Sequence, residues 1–460
     1  MKERDSLAGR VKCIRYERKC ACKVYGFLCR YQKGIVKMKN KFVTGIITGA
    51  ACALIAATLL FMVYFASLPT NEAEASESNL NKVTSAADTD VQEDAEGVFS
   101  VSNDTMLEKL DYIKNMINTY SLYGATEEEM LEGMYRGLLW SIDDAYSAYY
   151  TVDEMNALME SSSGYYCGIG VMVSQNVYTG IITVVKPFKD GPAYNAGMRK
   201  EDILLKVEGE DVTGVDLNEV VAKIKGEEGT TVNVTVLRGE EEISMDVTRA
   251  WIEVPTIEYE MLDDKIGYIS VSEFDEVTVD QFKNAIAELE KQKMEGLVID
   301  LRDNPGGLVD SAVSMLDRIL PKGLVVYTED KNGNRDEEYA KDKTELKVPL
   351  VLLMNENSAS ASEIFAGAVQ DFGKGKVVGT QSYGKGIVQI VAYVNDGSGI
   401  KFTVSQYFTP NGNAVHEVGI TPDVVVELDE ELKTLSEIPK EQDNQLQEAI
   451  KVLKEEIKKK

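Results

Sequence analysis

Residues 349–371 read PLVLLMNENSASASEIFAGAVQD, and this stretch decides the fold. Pro349 to Met354 is an unbroken apolar run of the length of a strand buried on both faces. A turn of small polar residues follows, then a helix running to Gln370. Strand, turn and helix in that order are the repeating step of an α/β core. Working outward, Ile266 to Val271 reads as a strand, and Asp280 as the cap of a helix with Phe282, Ile286 and Leu289 on one face. Gly296 to Leu301 is a second buried strand, and Val309 to Leu320 a second helix. Parallel neighbours need a crossover connection, so this alternation predicts a parallel sheet.

The rest of the chain has a different texture. Between Gly164 and Arg249, five short β-branched runs (Gly168 to Val173, Gly180 to Val185, Asp202 to Val207, Thr230 to Leu237, Ile243 to Val247) predict a compact β unit. Ahead of it, Leu107, Leu110, Ile113 and Ile117 keep helical spacing, and Thr126 followed by three glutamates caps a second helix. Phe42 to Ala66 is 25 residues without a charge, enough to cross a bilayer core of ~30 Å. Residues 1–41 carry 13 Lys/Arg against 3 Asp/Glu, whereas the residues after 66 carry 36 against 73. The basic flank places the N-terminus in the cytoplasm and the large acidic part outside, behind an uncleaved anchor. Thr70 to Gly97, rich in small and acidic residues, reads as a tether.

The expected organisation is therefore multidomain α+β. It comprises a cytoplasmic segment 1–41, a transmembrane helix 42–66, a linker 67–100, a helical arm 101–163, a β unit 164–250, an α/β core 251–430 and a helical tail 431–460. Five of six cysteines fall in or before the anchor, leaving Cys167 alone outside, which excludes a disulfide framework there. Neither a metal nor a cofactor is implied. An acidic ectodomain argues against nucleic-acid partners, because phosphate neutralisation needs clustered Lys/Arg.

A serine nucleophile needs a neighbour to take its proton. The chain has one histidine, His416, in NAVHEVGITPD, and a lone histidine is more often structural than catalytic. A lysine can substitute if burial depresses its pKa far below the usual ~10.4. The Asn355–Asp371 segment offers Ser358, Ser360 and Ser362 at the start of a helix, where amides favour developing negative charge. Local physics leaves the three serines open, with Ser362 the expected cap.

Four segments, taken in order and spacing, resemble the carboxyl-terminal processing proteases: GIGV at 168–171, DLRDNPGG at 300–307, SASASE at 358–363 and GKGIVQ at 384–389. The resemblance implies a crotonase-like serine protease core in which Ser360 is nucleophile, Lys385 the base and Gln389 the side chain that orients it. It further implies an oxyanion hole from Gly306 and the Ala361 amide, with Asp371 as a supporting acid. Only glycine lets a backbone amide approach so closely. The β unit resembles a PDZ domain, with Gly168, Ile169, Gly170 and Val171 binding the C-terminal tails of protein substrates by strand addition. The helices before Gly164 and the segment Asp443 to Ile457 resemble dimerisation arms, so a homodimer is expected, although Leu446, Ile450 and Leu453 could instead pack within one chain. A PDZ scaffold with an inert protease site is the rival, and the intact Ser360, Lys385 and Gln389 speak against it.

Overall fold

The computed structural model describes residues 103–341, 345–435 and 438–459. The cytoplasmic segment, anchor and linker expected over 1–100 lie outside the described residues. Among those described, no helix is long and apolar enough to cross a membrane.

At the centre is a six-stranded sheet. Ile257–Met261 forms an antiparallel edge; Ile266–Val271, Gly296–Asp300, Leu350–Met354, Gly375–Gly379 and Val424–Val425 then run parallel in that spatial order. Side chains alternate across it. Leu297, Ile299, Leu350, Leu352 and Met354 face the helices Glu276–Lys291, Val309–Asp317 and Ala361–Asp371, sharing a core with Phe282, Leu316 and Phe365. Val298, Val351, Leu353 and Val378 face the C-terminal helix Asn444–Lys459 through Leu446, Ala449 and Leu453.

That last contact decides the role of the tail. Its apolar stripe is a layer of its own chain's core rather than an arm reaching for a partner. Arg302 clamps it down from the end of the Gly296–Asp300 strand, its guanidinium 2.6 Å from Asp300 and 2.7 Å from Asp443, all three side chains largely buried.

The helix expected to be capped by Asp280 starts five residues earlier, capped at Asp275. Val277 and Thr278 are buried inside its first turn, and that burial overrides the weak helix preference of β-branched residues.

The β unit hangs from a two-stranded stem, Tyr165–Gly168 paired with Ala250–Glu253. The expected strand 168–173 is broken in two: Ile169 and Gly170 leave the ladder, Gly170 adopts φ 72°, and their carbonyls take the amides of Ala193 and Phe188. Val171–Gln175, Ile182–Pro187, Ile203–Val207, Thr231–Arg238 and Glu241–Thr248 then form one antiparallel sheet, to which the short Glu210–Asp211 strand adds beside Ile203–Val207.

A separate five-stranded sheet joins distant segments. Gly399–Phe408 pairs on one side with Ile387–Tyr393, and on the other with Ala148–Tyr150 and Gly323–Asp330, beyond which lies Arg335–Ala340.

Candidate active site

Three adjacent parallel strands, ending at Asp300, Met354 and Gly379, send their loops out of the same edge of the sheet. Open α/β sheets form their clefts at such carboxyl ends. The loops carry the three glycine- and serine-rich motifs, and sheet topology brings them together.

Of the three serines, two hydroxyls are spent on the fold. Ser358 Oγ donates to Leu301 O at 2.7 Å, and Ser362 Oγ donates to Asn304 O at 3.0 Å; both residues are fully buried. Ser360, not the expected Ser362, occupies the cap position of the helix Ala361–Asp371. Its backbone is strained, with φ 54° and ψ −116°, a conformation that costs a non-glycine residue on the order of 1–3 kcal/mol. A strained serine on a sharp strand-to-helix turn is a familiar way to present a nucleophile.

Glu363 holds this turn against the lysine loop. Its fully buried carboxylate accepts from Ser360 N (2.8 Å) and Lys385 N (2.9 Å) through one oxygen, and from Gly384 N (2.7 Å) and Ser382 Oγ (2.5 Å) through the other. The Tyr407 hydroxyl lies 2.9 Å from Ser360 O and 2.8 Å from Lys385 O, able to donate to either. Burial, then the Glu363 carboxylate, raise its pKa well above the ordinary range and keep it protonated.

Lys385 is half-buried, and its pKa is lowered by that burial first and by Lys401 second, against an opposing pull from Asp144. No hydrogen bond joins its side chain to the Ser360 hydroxyl among the described residues. Its Nζ lies 4.6 Å from the centroid of the Tyr146 ring. Gln389 is likewise not hydrogen-bonded to the lysine side chain; its Nε2 donates to Tyr146 O at 2.6 Å.

Gly306, at φ 107°, lies so close that a methyl group on it would sit 2.7 Å from Ser360 Cβ and 2.9 Å from Ala361 N. Glycine is obligatory at this approach. Ala361 N heads its helix, where amides lack an intrahelical acceptor, whereas Gly306 N donates to the Asn304 Oδ1 at 2.9 Å. Asp371 is not part of this cluster. It ends the helix eleven residues after Ser360, about 16 Å away at 1.5 Å per residue, and accepts Asn411 N at 2.8 Å. His416 passes its backbone under Gly386, where a methyl would meet His416 N at 2.1 Å, and its buried Nδ1 has no hydrogen-bond partner among the described residues.

A second site lies in the β unit. Between the strand Val171–Gln175 and the helix Leu217–Ile224 runs a groove of about 320 Å³, walled by Ile169, Val171, Val173, Phe188, Val221 and Ile224. The Gly170 and Val171 amides donate toward the Tyr166 hydroxyl, which burial nevertheless pushes up to about 12. Lys225 Nζ lies over the Tyr166 ring, 5.0 Å from its centroid, and pairs with Glu160.

Asp275 of the core reaches the floor of this groove. Burial, with Glu273 second, pushes its pKa up to about 7. The native state thus holds a proton that the unfolded chain releases near pH 4. Stability from this group falls as pH rises from about 4 to about 7, and the full cost persists above that. Asp275→Asn is therefore expected to raise the melting temperature at pH 8 and leave it unchanged at pH 4; equal shifts at both pH values would contradict the assignment.

The pattern of peptidase family S41 matches residues 265–426, and that of a PDZ domain residues 167–248. The carboxy-terminal processing protease CtpA of Bacillus subtilis is 34% identical over 329 residues, covering 71% of this chain and 70% of its own. The chain belongs to the carboxy-terminal processing proteases. A "Probable CtpA-like serine protease" of Staphylococcus epidermidis is 35% identical over 325 residues, and the aligned part spans 65% of that relative's length. Among solved structures, a photosystem II D1 C-terminal processing protease matches 71% of this chain and 94% of its own at 27% identity, with a TM-score of 0.43.

Within this family frame, the motifs named Ser360, Lys385 and Gly306 but not what connects them. Glu363 stands inside the SASASE motif and reads as an ordinary first-turn acid. Tyr407 and Tyr146 lie outside every motif; the DDAYSAYY run at 143–150 offers no periodic signal beyond a short strand.

Proposed function

We propose that this chain is a serine endopeptidase acting near the C-termini of proteins, with Ser360 as nucleophile and Lys385 as general base. The observation that carries it is the division of labour among the serines: Ser358 and Ser362 are bonded into the core, while strained Ser360 shares Glu363 and Tyr407 with the backbone of a half-buried lysine.

Neutral Lys385 takes the Ser360 proton as Oγ attacks the scissile carbonyl. The resulting oxyanion is held by Ala361 N–H and, once it turns away from Asn304, by Gly306 N–H. Lys385 returns the proton to the departing amine, leaving an acyl-serine. Water, deprotonated by the same lysine, releases the new carboxylate. Gln389 orients the lysine through the segment it grips rather than by direct contact.

Substrate tails would add as a strand beside Val171–Gln175, their terminal carboxylate replacing the Tyr166 hydroxyl at the Gly170 and Val171 amides. The Bacillus subtilis relative, a carboxy-terminal processing protease, supports the same activity. The apolar run 42–66 would hold the enzyme at the outer face of the cell membrane. A second copy would cover the helix Asn103–Tyr120, which buries none of its residues and exposes Leu107, Ile113 and Ile117. Light scattering on residues 98–460 checks the dimer.

The direct test uses a serine-directed fluorophosphonate and peptide mapping. The adduct is expected on Ser360; an adduct on Ser358 or Ser362, or none, would overturn the reading. A tail peptide with an amidated C-terminus is expected to bind about tenfold or more weakly than the free acid, a loss on the order of one charge-assisted hydrogen bond.

A further inference from the structure

Tyr146 makes three contacts with the lysine machinery. Its ring lies under Lys385 Nζ at 4.6 Å, its carbonyl accepts Gln389 Nε2 at 2.6 Å, and its hydroxyl is hydrogen-bonded to Tyr383, two residues before the lysine. The fold supplies this placement by register. Ala148 lies opposite Lys401 on one edge of Gly399–Phe408, while Gln389 lies opposite Thr403 on the other. The Asp144 carboxylate pins the approach, accepting Tyr146 N at 3.0 Å and Ser147 Oγ at 2.6 Å.

We propose that Tyr146 is a positioning residue for the general base, its ring seating Lys385 and excluding water while its carbonyl fixes Gln389. This rests on Lys385 acting as the base. The ring has two opposed effects on that lysine. Its π-face favours the charged form, and its bulk keeps water away and favours the neutral one. The other groups facing the lysine are Asp144 from the same segment, Lys401 from the neighbouring strand, Tyr383 and Glu363 beside its backbone, Tyr407 on its carbonyl and His416 beyond Gly386. None of them is replaced in a Tyr146 series, and all three variants lose the Tyr383 hydrogen bond alike, so differences between their limbs report the ring.

The test follows the pH dependence of Ser360 phosphonylation by the fluorophosphonate, fluoride leaving, in the full-length chain in detergent. Tyr146→Phe keeps the ring, and its acidic limb is expected to coincide with that of the unmodified chain. Tyr146→Leu keeps apolar bulk without the π-face, and its limb is expected at lower pH. Tyr146→Ala admits water, and its limb is expected about one pH unit higher. Limbs that coincide in all three, with only the amplitude altered, would overturn the proposal and mark Tyr146 as merely structural. If the alanine variant does not fold, the leucine limb is still expected to move to lower pH while the phenylalanine limb stays in place. Lys385→Met separates the two layers. Persistent phosphonylation in that variant removes the lysine base itself; a silent Lys385→Met beside a flat Tyr146 series removes only the role of Tyr146.

Discussion

Ser360→Gly is expected to abolish peptide cleavage and to make the protein more stable. Loss of the nucleophile removes activity by a factor on the order of 10⁶ in serine proteases. The stability gain has a separate cause. At φ 54° and ψ −116°, Ser360 holds a backbone conformation that a Cβ resists and glycine adopts freely. Relief of about 1–3 kcal/mol of strain outweighs glycine's extra unfolded-state entropy of about 0.5–1 kcal/mol, for a net gain of about 1 kcal/mol. Ser360→Ala separates the two effects, because alanine loses the hydroxyl but keeps the strain. It is expected to be as inactive as the glycine variant and no more stable than the unmodified chain. Urea denaturation and cleavage of an unstructured tail peptide read both quantities. Equal stability of the two variants would remove the strain argument, and cleavage by either would move the nucleophile elsewhere.

Glu363→Ala is expected to cause the largest loss of stability of any single change at the site. The carboxylate is fully buried and satisfies four donors: Ser360 N, Lys385 N, Gly384 N and Ser382 Oγ. Each buried donor left without an acceptor costs about 1–3 kcal/mol. Relaxation and water entry make such costs non-additive, so a total on the order of 4–5 kcal/mol is expected. Glu363→Gln keeps the shape and one accepting oxygen but points an NH₂ at donors, so it should lose roughly half as much. Both variants should be inactive at low temperature, where they remain folded, because the serine turn and lysine loop lose their common anchor. A Glu363→Ala variant with an unchanged urea midpoint would show that the carboxylate does not hold the two loops together.

Much of the architecture was legible in residue order because it depends on local chemistry. Apolar runs of strand length alternating with amphipathic segments specify a parallel sheet, and such sheets open their clefts at the strands' carboxyl ends. The Asn-Pro-Gly-Gly turn drew its meaning from the family resemblance; the structure packs Gly306 against Ser360 and Ala361 N. Boundaries were less legible where burial outvoted propensity, as at Val277 and Thr278, which lie inside a helix expected to begin after them.

The sequence alone determined the α/β alternation with parallel pairing, the β unit before it and a short set of candidate residues for the chemistry. Only the tertiary structure decided which of them are free to do it. Ser358 is committed because Leu301 O, 57 positions earlier, lies 2.7 Å from its hydroxyl; Ser362 because Asn304 O lies 3.0 Å away. The roles of Glu363, Tyr407 and Tyr146 have the same origin, and so does the docking of the C-terminal helix on its own sheet. Each depends on hydrogen bonds or apolar contacts between segments that only folding brings within 3–5 Å, a scale at which spacing along the chain carries no information.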